Sequence, residues 1–272
     1  MSVIPDRPLY EIKVMVVDDQ KFIRGMISQG LKAFGATTVE ASDGFEALTI
    51  LGLGDAMSGS TIETLKRQRP DLFQGGPHVS QKIDCVVSDI RMLPMNGLEM
   101  LKAIRAGMTV APRDLPVVIM SAHSDEALIG AAVALDAQGF ASKPVSQKAV
   151  ADRVLRGLQM PLQLKPADIY KMLVIPELDA STIETDVGKL AESVVAVIRA
   201  GDVAIASGQQ SISLAWEEIR VGDMLAENMT TKSGRLIAPS GTRVTEVLIA
   251  ALRDLSHVTE LMPKVGVRRK VI

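Results

Sequence analysis

Apolar and polar positions in residues 11–158 alternate between two periods, and that alternation sets the expected elements. Residues 12–17 form a short apolar run that ends at Asp18 and Asp19. Phe22, Ile23, Met26, Ile27 and Leu31 then recur at helical spacing up to Gly35. Residues 37–41 read as a second strand, Asp43 and Gly44 as a turn, and Phe45, Ala47, Leu48 and Leu51 as the next amphipathic helix. A third strand spans 83–88, with Leu98, Leu101 and Ile104 on the helix after it. A fourth spans 117–120 behind Pro116, followed by a helix over 127–135. Residues 139–142 give a fifth strand and 145–158 a fifth helix. Strands that alternate with helices predict an α/β domain with a five-stranded parallel sheet covered on both faces, because parallel neighbours need crossover connections.

The pattern changes after residue 158. Pro161, Pro166 and Pro176 punctuate a connector, expected over 159–209 and helical in its second part. Ile183, Val187, Leu190, Val194 and Val197 alternate steps of four and three, a heptad seam flanked by charges. Over 183–198 this supports either a helix packed on its own domain or a homodimer contact. From 210 to 272 the pattern is that of a small β-rich domain. It has a turn at 221–223, a strand over 225–230, a hairpin at Ser233 and Gly234 into 235–238, and a last strand through Val265 and Val267. Thr245 caps a helix carrying Val247, Leu248, Ala251 and Leu252.

Composition narrows the classes. A chain of 272 residues with 47% hydrophobic content can bury the cores of about two domains. The formal charge of −2 provides no global basic field for nucleic acid. The single Cys85 sits inside the third strand and reads as a small buried hydrophobe, and no intramolecular disulfide can form. The N-terminus lacks a signal pattern and no apolar run approaches membrane-spanning length, so a soluble cytoplasmic protein is expected. Arg268, Arg269 and Lys270 form a basic cluster with no helix-turn-helix signal beside it, and it reads as a solvated tail rather than a nucleic-acid contact.

In open parallel sheets, the loops at the carboxyl ends of the strands form the ligand crevice. Here that rule gathers Asp18 and Asp19 from strand one, Asp89 from strand three, Ser121 from strand four and Lys143 after strand five. Three carboxylates brought together repel unless a cation sits among them, and Mg²⁺, which favours oxygen ligands, suits such a set. A lysine and a hydroxyl facing the same place could then hold the oxygens of a phosphoryl group carried by Asp89.

These residues also carry a resemblance. VMVVDDQKFIR, VVSDIRM with Asn96 and Gly97 downstream, VVIMSAHSD and GFASKPV resemble the receiver domain of two-component response regulators over 11–158. The resemblance implies a doubly wound, flavodoxin-like fold and makes Asp89 the acceptor of phosphate from a histidine kinase or phosphotransfer protein. Asp18, Asp19, Asp89 and the main-chain carbonyl of Arg91 would bind Mg²⁺. Lys143 and Ser121 would contact the phosphoryl group, Phe140 would be the switch aromatic, and the Lys143–Pro144 bond would be cis.

Two features depart from that family's pattern. Leu93 stands where the family usually has proline, one position before Pro94. An insertion at about 54–82 separates the second helix from the third strand; within it Ser60 and Glu63 have capping-box spacing, and Ile62 and Leu65 line a short helix ending near Pro70. It reads as a surface elaboration, and its His78 as a solvated loop residue.

The C-terminal pattern IRVGDMLAENMTTKSGRLIAPSGTRVTEVLIAALRDL resembles the small β module found ahead of HD-GYP phosphodiesterase domains. The histidine and aspartate cluster of that enzyme cannot be assembled here, since His257 is the only histidine of this half. The expected output is therefore a non-catalytic protein-interaction module with an unidentified partner. Two other readings use the same residues: a phosphatase with Asp89 as nucleophile, and a DNA-binding regulator.

Overall fold

The computed structural model describes residues 9–54, 59–73, 81–121, 126–175, 210–234, 236–256 and 260–269. They fall into two compact units. The first takes residues up to Ser121 together with Gln138–Lys171, and the second combines residues 122–137 with the region after 171.

The first unit is built on one parallel sheet of β1 (Lys13–Val17), β2 (Thr37–Ala41), β3 (Cys85–Asp89), β4 (Val117–Ser121) and β5 (Gly139–Ser142), in the order β2-β1-β3-β4-β5. The three central strands are apolar along almost their whole length because both faces are covered. Strand alternation splits their side chains between two layers. Val14, Val16, Cys85, Val87, Val118, Met120 and Ala141 share one core with Ile27 and Leu31 of α1 (Lys21–Ala33) and with Val150 and Val154 of α6 (Gln147–Gln159). The opposite residues face the side of α2 (Gly44–Leu51) and α4 (Gly97–Arg105), which pack on each other. Cys85 is fully buried in the first of these layers, and burial pushes its thiol up to about 12, so it behaves as the small apolar residue its position suggested.

Local chemistry fixes the ends of these elements. Asp43 caps α2 by accepting the amides of Phe45 and Glu46 at 2.8 and 3.0 Å. At α4 the capping box is complete: Asn96 accepts the amides of Leu98 and Glu99, and Glu99 accepts the amide of Asn96 at 2.9 Å. The inserted stretch contains α3 (Gly59–Gln68) and a 3₁₀ turn at Pro70–Phe73. Ser60 lies within this helix.

The start of the connector is anchored to the first unit. A short helix, α7 (Ala167–Met172), buries Tyr170, whose hydroxyl accepts the Lys165 amide at 3.0 Å. The side chains of Arg113 and Lys165 lie 5.6 and 5.3 Å from the ring centroid. The heptad seam at 183–198 lies outside the described residues, as does His78.

The C-terminal part of the second unit holds a three-stranded antiparallel sheet of β6 (Gln210–Ala215), β10 (Lys264–Arg269) and β7 (Met224–Leu225), in the order β6-β10-β7. A separate hairpin pairs β8 (Met229–Thr230) with β9 (Leu236–Ala238). The single strand expected over 225–230 is thus broken and shared between two sheets. The reason is polar: Ala226 gives its amide to the Gly266 carbonyl, Glu227 accepts the Gly266 amide at 2.5 Å, and Asn228 accepts the Ser240 amide at 2.9 Å. Thr245 caps α8 (Glu246–Leu255) through the Leu248 amide, as its spacing suggested.

Arg269 is not part of a solvated basic cluster. Its guanidinium holds both oxygens of buried Asp223, at 2.7 and 2.6 Å, and the Arg220 amide adds a bond at 2.8 Å. The Arg269 hydrogen bonds hold the Asp223 carboxyl below the usual carboxylate range against the opposing effect of burial. A lowered carboxylate contributes stability above its unfolded-state value, near 3.9, and loses it as pH falls through the lower folded-state value. Arg269→Ala is expected to cost about 2 kcal/mol at neutral pH. In urea titrations at neutral pH and in strong acid, the gap between wild type and variant should close in acid.

Candidate functional site

Every strand of the parallel sheet points its carboxyl end to the same edge, and the polar residues singled out from sequence stand there. Asp18 follows β1 and is fully buried; Asp89 ends β3 and is 5% exposed; Asp19 is open to solvent. One carboxylate oxygen from each of Asp18, Asp19 and Asp89 falls within 4.8 Å of the others. Lys143, directly after β5, reaches across the sheet to join them: its Nζ is 2.7 Å from Asp89 Oδ2 and 3.1 Å from Asp18 Oδ2.

The second oxygens of the two buried acids are already held. Asp89 Oδ1 accepts the Ile90 amide at 2.8 Å, and Asp18 Oδ1 accepts the Gln20 amide at 2.9 Å. These bonds fix the rotation of each carboxylate and leave Oδ2 of both directed toward the lysine. Burial pushes the Asp89 carboxyl above its ordinary value; Lys143 opposes that push and the charge of Asp18 adds to it. Burial acts on Lys143 in the other direction, but the hydrogen bonds and charges of Asp89 and Asp18 outweigh it and leave the ammonium above its usual value. Lys143 is therefore a fixed cation at neutral pH.

Ser121 closes β4 and is fully buried, and its Oγ has no hydrogen-bond partner among the described residues. An orphaned hydroxyl in a buried position costs free energy unless something else fills its valence. Phe140 on β5 is also buried, with its ring inside rather than at the surface. The Lys143–Pro144 peptide is cis, and so is Leu93–Pro94 in the loop after Asp89. Leu93 itself is 80% exposed, and Arg91 sits half-buried two residues beyond Asp89.

The site satisfies the chemistry of a hard divalent cation: three carboxylates supply oxygen donors, and the one exposed member leaves room for bound water. Three acids against one lysine also leave an excess of negative charge that such an ion would balance.

Other residues matter that the strand-end rule does not pick out. Arg24 on α1 donates to the Asp18 carbonyl at 2.6 Å and pairs with Glu40 at 3.2 Å, so it secures the backbone that carries Asp18 and Asp19. Gly97 opens α4 with its amide on the Ile90 carbonyl at 3.0 Å. A Cβ on this residue would stand 2.0 Å from the Asp89 carbonyl oxygen, so only glycine lets the helix come this close. The Asn96-x-x-Glu99 spacing was a readable signal for this helix start; nothing in the sequence marks Arg24. Gly97→Ala is expected to push Asp89 away from Lys143 and to lower the apparent melting temperature, through about 2 kcal/mol of overpacking. Thermal melts would record the loss of stability.

Known proteins resemble this chain over about half of its length. The family profile of the response regulator receiver domain matches residues 77–155. Two-component response regulator ARR16 of Arabidopsis thaliana is 30% identical over 135 residues, covering 50% of this chain and 73% of that protein. Two-component response regulator ARR17 of the same plant is 27% identical, over 50% of this chain and 77% of its own length. Regulator of RpoS of Escherichia coli is 31% identical over 51% of this chain, but only 32% of that protein is covered. The Francisella response regulator 1452 receiver domain aligns over 55% of this chain and 98% of its own, with 26% identity and a TM-score of 0.40. With a parallel sheet in this strand order and a relative of this identity and coverage, the chain belongs to the two-component response regulators and carries their receiver domain.

Proposed function

We propose that Asp89 accepts a phosphoryl group from a histidine kinase or phosphotransfer protein, and that the phosphorylated receiver switches a non-catalytic C-terminal output. The observation that carries this is the contact of Lys143 Nζ with Asp89 Oδ2 at 2.7 Å, inside a cluster of three carboxylates. Asp89 Oδ2, the oxygen not held by the Ile90 amide, attacks phosphorus as the bond to the donor's imidazole nitrogen breaks. The electron pair of that bond leaves with the imidazole. Lys143 neutralises charge on the phosphoryl oxygens as it develops.

Asp18, Asp19 and Asp89, with the main-chain carbonyl of Arg91, would hold Mg²⁺. When bound, it supplies the positive charge that lets a dianionic donor approach three acids. Ser121 gives its unpartnered hydroxyl to a phosphoryl oxygen, and Phe140 is the aromatic whose packing follows that movement.

The output reading draws support from the composition of the second unit. The helix that follows β4 in the chain, α5 (Glu126–Ala134), belongs to that unit together with the C-terminal strands. Leu128, Ile129, Ala131 and Ala132 are all buried, and Gly130 lies against β9, where a Cβ would stand 2.6 Å from the Leu236 carbonyl oxygen. The resemblance of that module to the β domain ahead of HD-GYP enzymes supports a protein-interaction role. Among the described residues no helix is long and apolar enough to cross a membrane.

The test is to supply a labelled small phosphodonor with Mg²⁺ and follow incorporation. About one equivalent per chain is expected, lost on chelation of the metal. Absence of label would refute the phosphoacceptor role, and steady phosphate release far beyond that equivalent would mark a turnover enzyme instead.

A further inference from the structure

We propose that the inserted segment is a positioning element for the Asp89 site, acting through Arg69; the idea rests on the phosphoacceptor reading above. Arg69 joins α3 to the 3₁₀ turn and is largely covered, its side chain 18% exposed. Its guanidinium reaches across to the corner between β2 and α2 and makes a direct hydrogen-bonded ion pair with Asp43 Oδ2. The same group lies 3.5 Å from Ser42 Oγ and 3.8 Å from Glu46 Oε2. Asp71 holds its outer edge, with Nε and Nη2 donating at 3.0 and 2.7 Å, so the fork cannot swing away.

Asp43 is the N-cap of α2, and the next residue touches the loop after Asp89. The Gly44 amide donates to the Met95 carbonyl at 3.1 Å, and a Cβ on residue 44 would stand 2.6 Å from Met95 Cγ. Met95 belongs to the loop that leaves Asp89, passes Arg91 and closes through the Ile90 carbonyl on the Gly97 amide. The chain of contacts is thus Arg69, Asp43, Gly44, Met95 and the loop that carries one proposed metal ligand. Mg²⁺ tolerates little departure from octahedral geometry, so a looser loop should be read out first as weaker metal binding.

The expected result is that Arg69→Ala lowers Mg²⁺ affinity in titration calorimetry by about tenfold, the low end of what outer-shell partners contribute. Labelling at fixed subsaturating metal should fall in proportion. Arg69→Lys keeps the charge on Asp43 and should recover most of the loss. Asp43→Asn is the second variant, because asparagine caps a helix as well as aspartate but gives up the ion pair; the same loss of metal affinity is expected in a variant that urea titration shows to be folded. Wild-type Mg²⁺ affinity in folded Arg69→Ala and Asp43→Asn would overturn the proposal, leaving the insertion a purely structural clamp. Failure of the phosphoacceptor reading is a separate outcome, seen as a wild type that binds Mg²⁺ but takes no label.

Discussion

Asp89→Asn should take up no phosphoryl group under conditions in which the wild type is labelled, and its metal-free form should be the more stable of the two at neutral pH. The first effect follows from the nucleophile: an amide nitrogen or oxygen in place of Oδ2 has no charge with which to attack phosphorus and forms no acyl phosphate. The second follows from the direction in which the carboxyl is pushed. Burial raises Asp89 and Asp18 adds to this, and together they exceed the opposing pull of Lys143. A carboxyl raised in the folded state contributes stability below its unfolded-state value and forfeits it as pH rises through the folded-state value. At neutral pH the charged form is therefore a liability, which the neutral amide removes.

Mg²⁺ should reverse the order. At a hundredfold excess over its dissociation constant an ion that binds only the folded state adds about 2.7 kcal/mol, and the variant, short of one donor, should gain much less. Urea titrations with and without metal at several pH values measure all of this. Equal labelling of both proteins would remove Asp89 from the role of acceptor, and a metal-free stability difference that does not grow in favour of Asp89→Asn as pH rises would contradict the electrostatic account.

Much of the receiver was legible because its signals are local and redundant. The runs around Val16, Val87 and Val118 are apolar on both faces, as only a covered parallel sheet requires, and each ends in a polar residue at the same edge. Asp18, Asp89 and Lys143 could be grouped before any distance was known because strand ends in such a sheet share an edge. Interactions set by tertiary approach were not legible. The role of Arg69 depends on a guanidinium crossing to Asp43, twenty-six positions away in sequence, and the need for glycine at 97 depends on how near α4 comes to the Asp89 carbonyl.

The C-terminal module was read less well for a related reason. The run 225–230 has the alternation of one strand, and periodicity alone cannot reveal that Glu227 and Asn228 spend their side chains on backbone amides from Gly266 and Ser240. Likewise, Arg269 looked like part of a basic tail because its partner, Asp223, is brought to it only by the antiparallel pairing of β10 with β7.

Arg105→Met should be the most destabilising of these substitutions, at about 4 kcal/mol, while leaving the Asp89 site chemically intact. Arg105 ends α4 and is completely buried. One guanidinium nitrogen donates to the carbonyls of Arg113 and Leu115 at 2.5 and 2.9 Å, and the other to Gln138 Oε1 at 3.0 Å. Gln138 in turn accepts the Val117 amide at 3.2 Å, so the starts of β4 and β5 are tied to the end of α4 by one side chain. Methionine keeps much of the volume but takes this donor from the Arg113 and Leu115 carbonyls, each worth about 1–3 kcal/mol when buried, and leaves Gln138 Oε1 with the Val117 amide alone. Arg105→Lys should recover only part of the loss, because one ammonium cannot reproduce the fork. These contacts lie at the amino ends of β4 and β5, the opposite edge from Ser121 and Lys143. The urea midpoint should therefore drop sharply while the folded fraction still labels at the wild-type rate. A loss below about 1 kcal/mol would show that the Arg113 and Leu115 carbonyls find other donors, and the buried arginine would then be a packing residue.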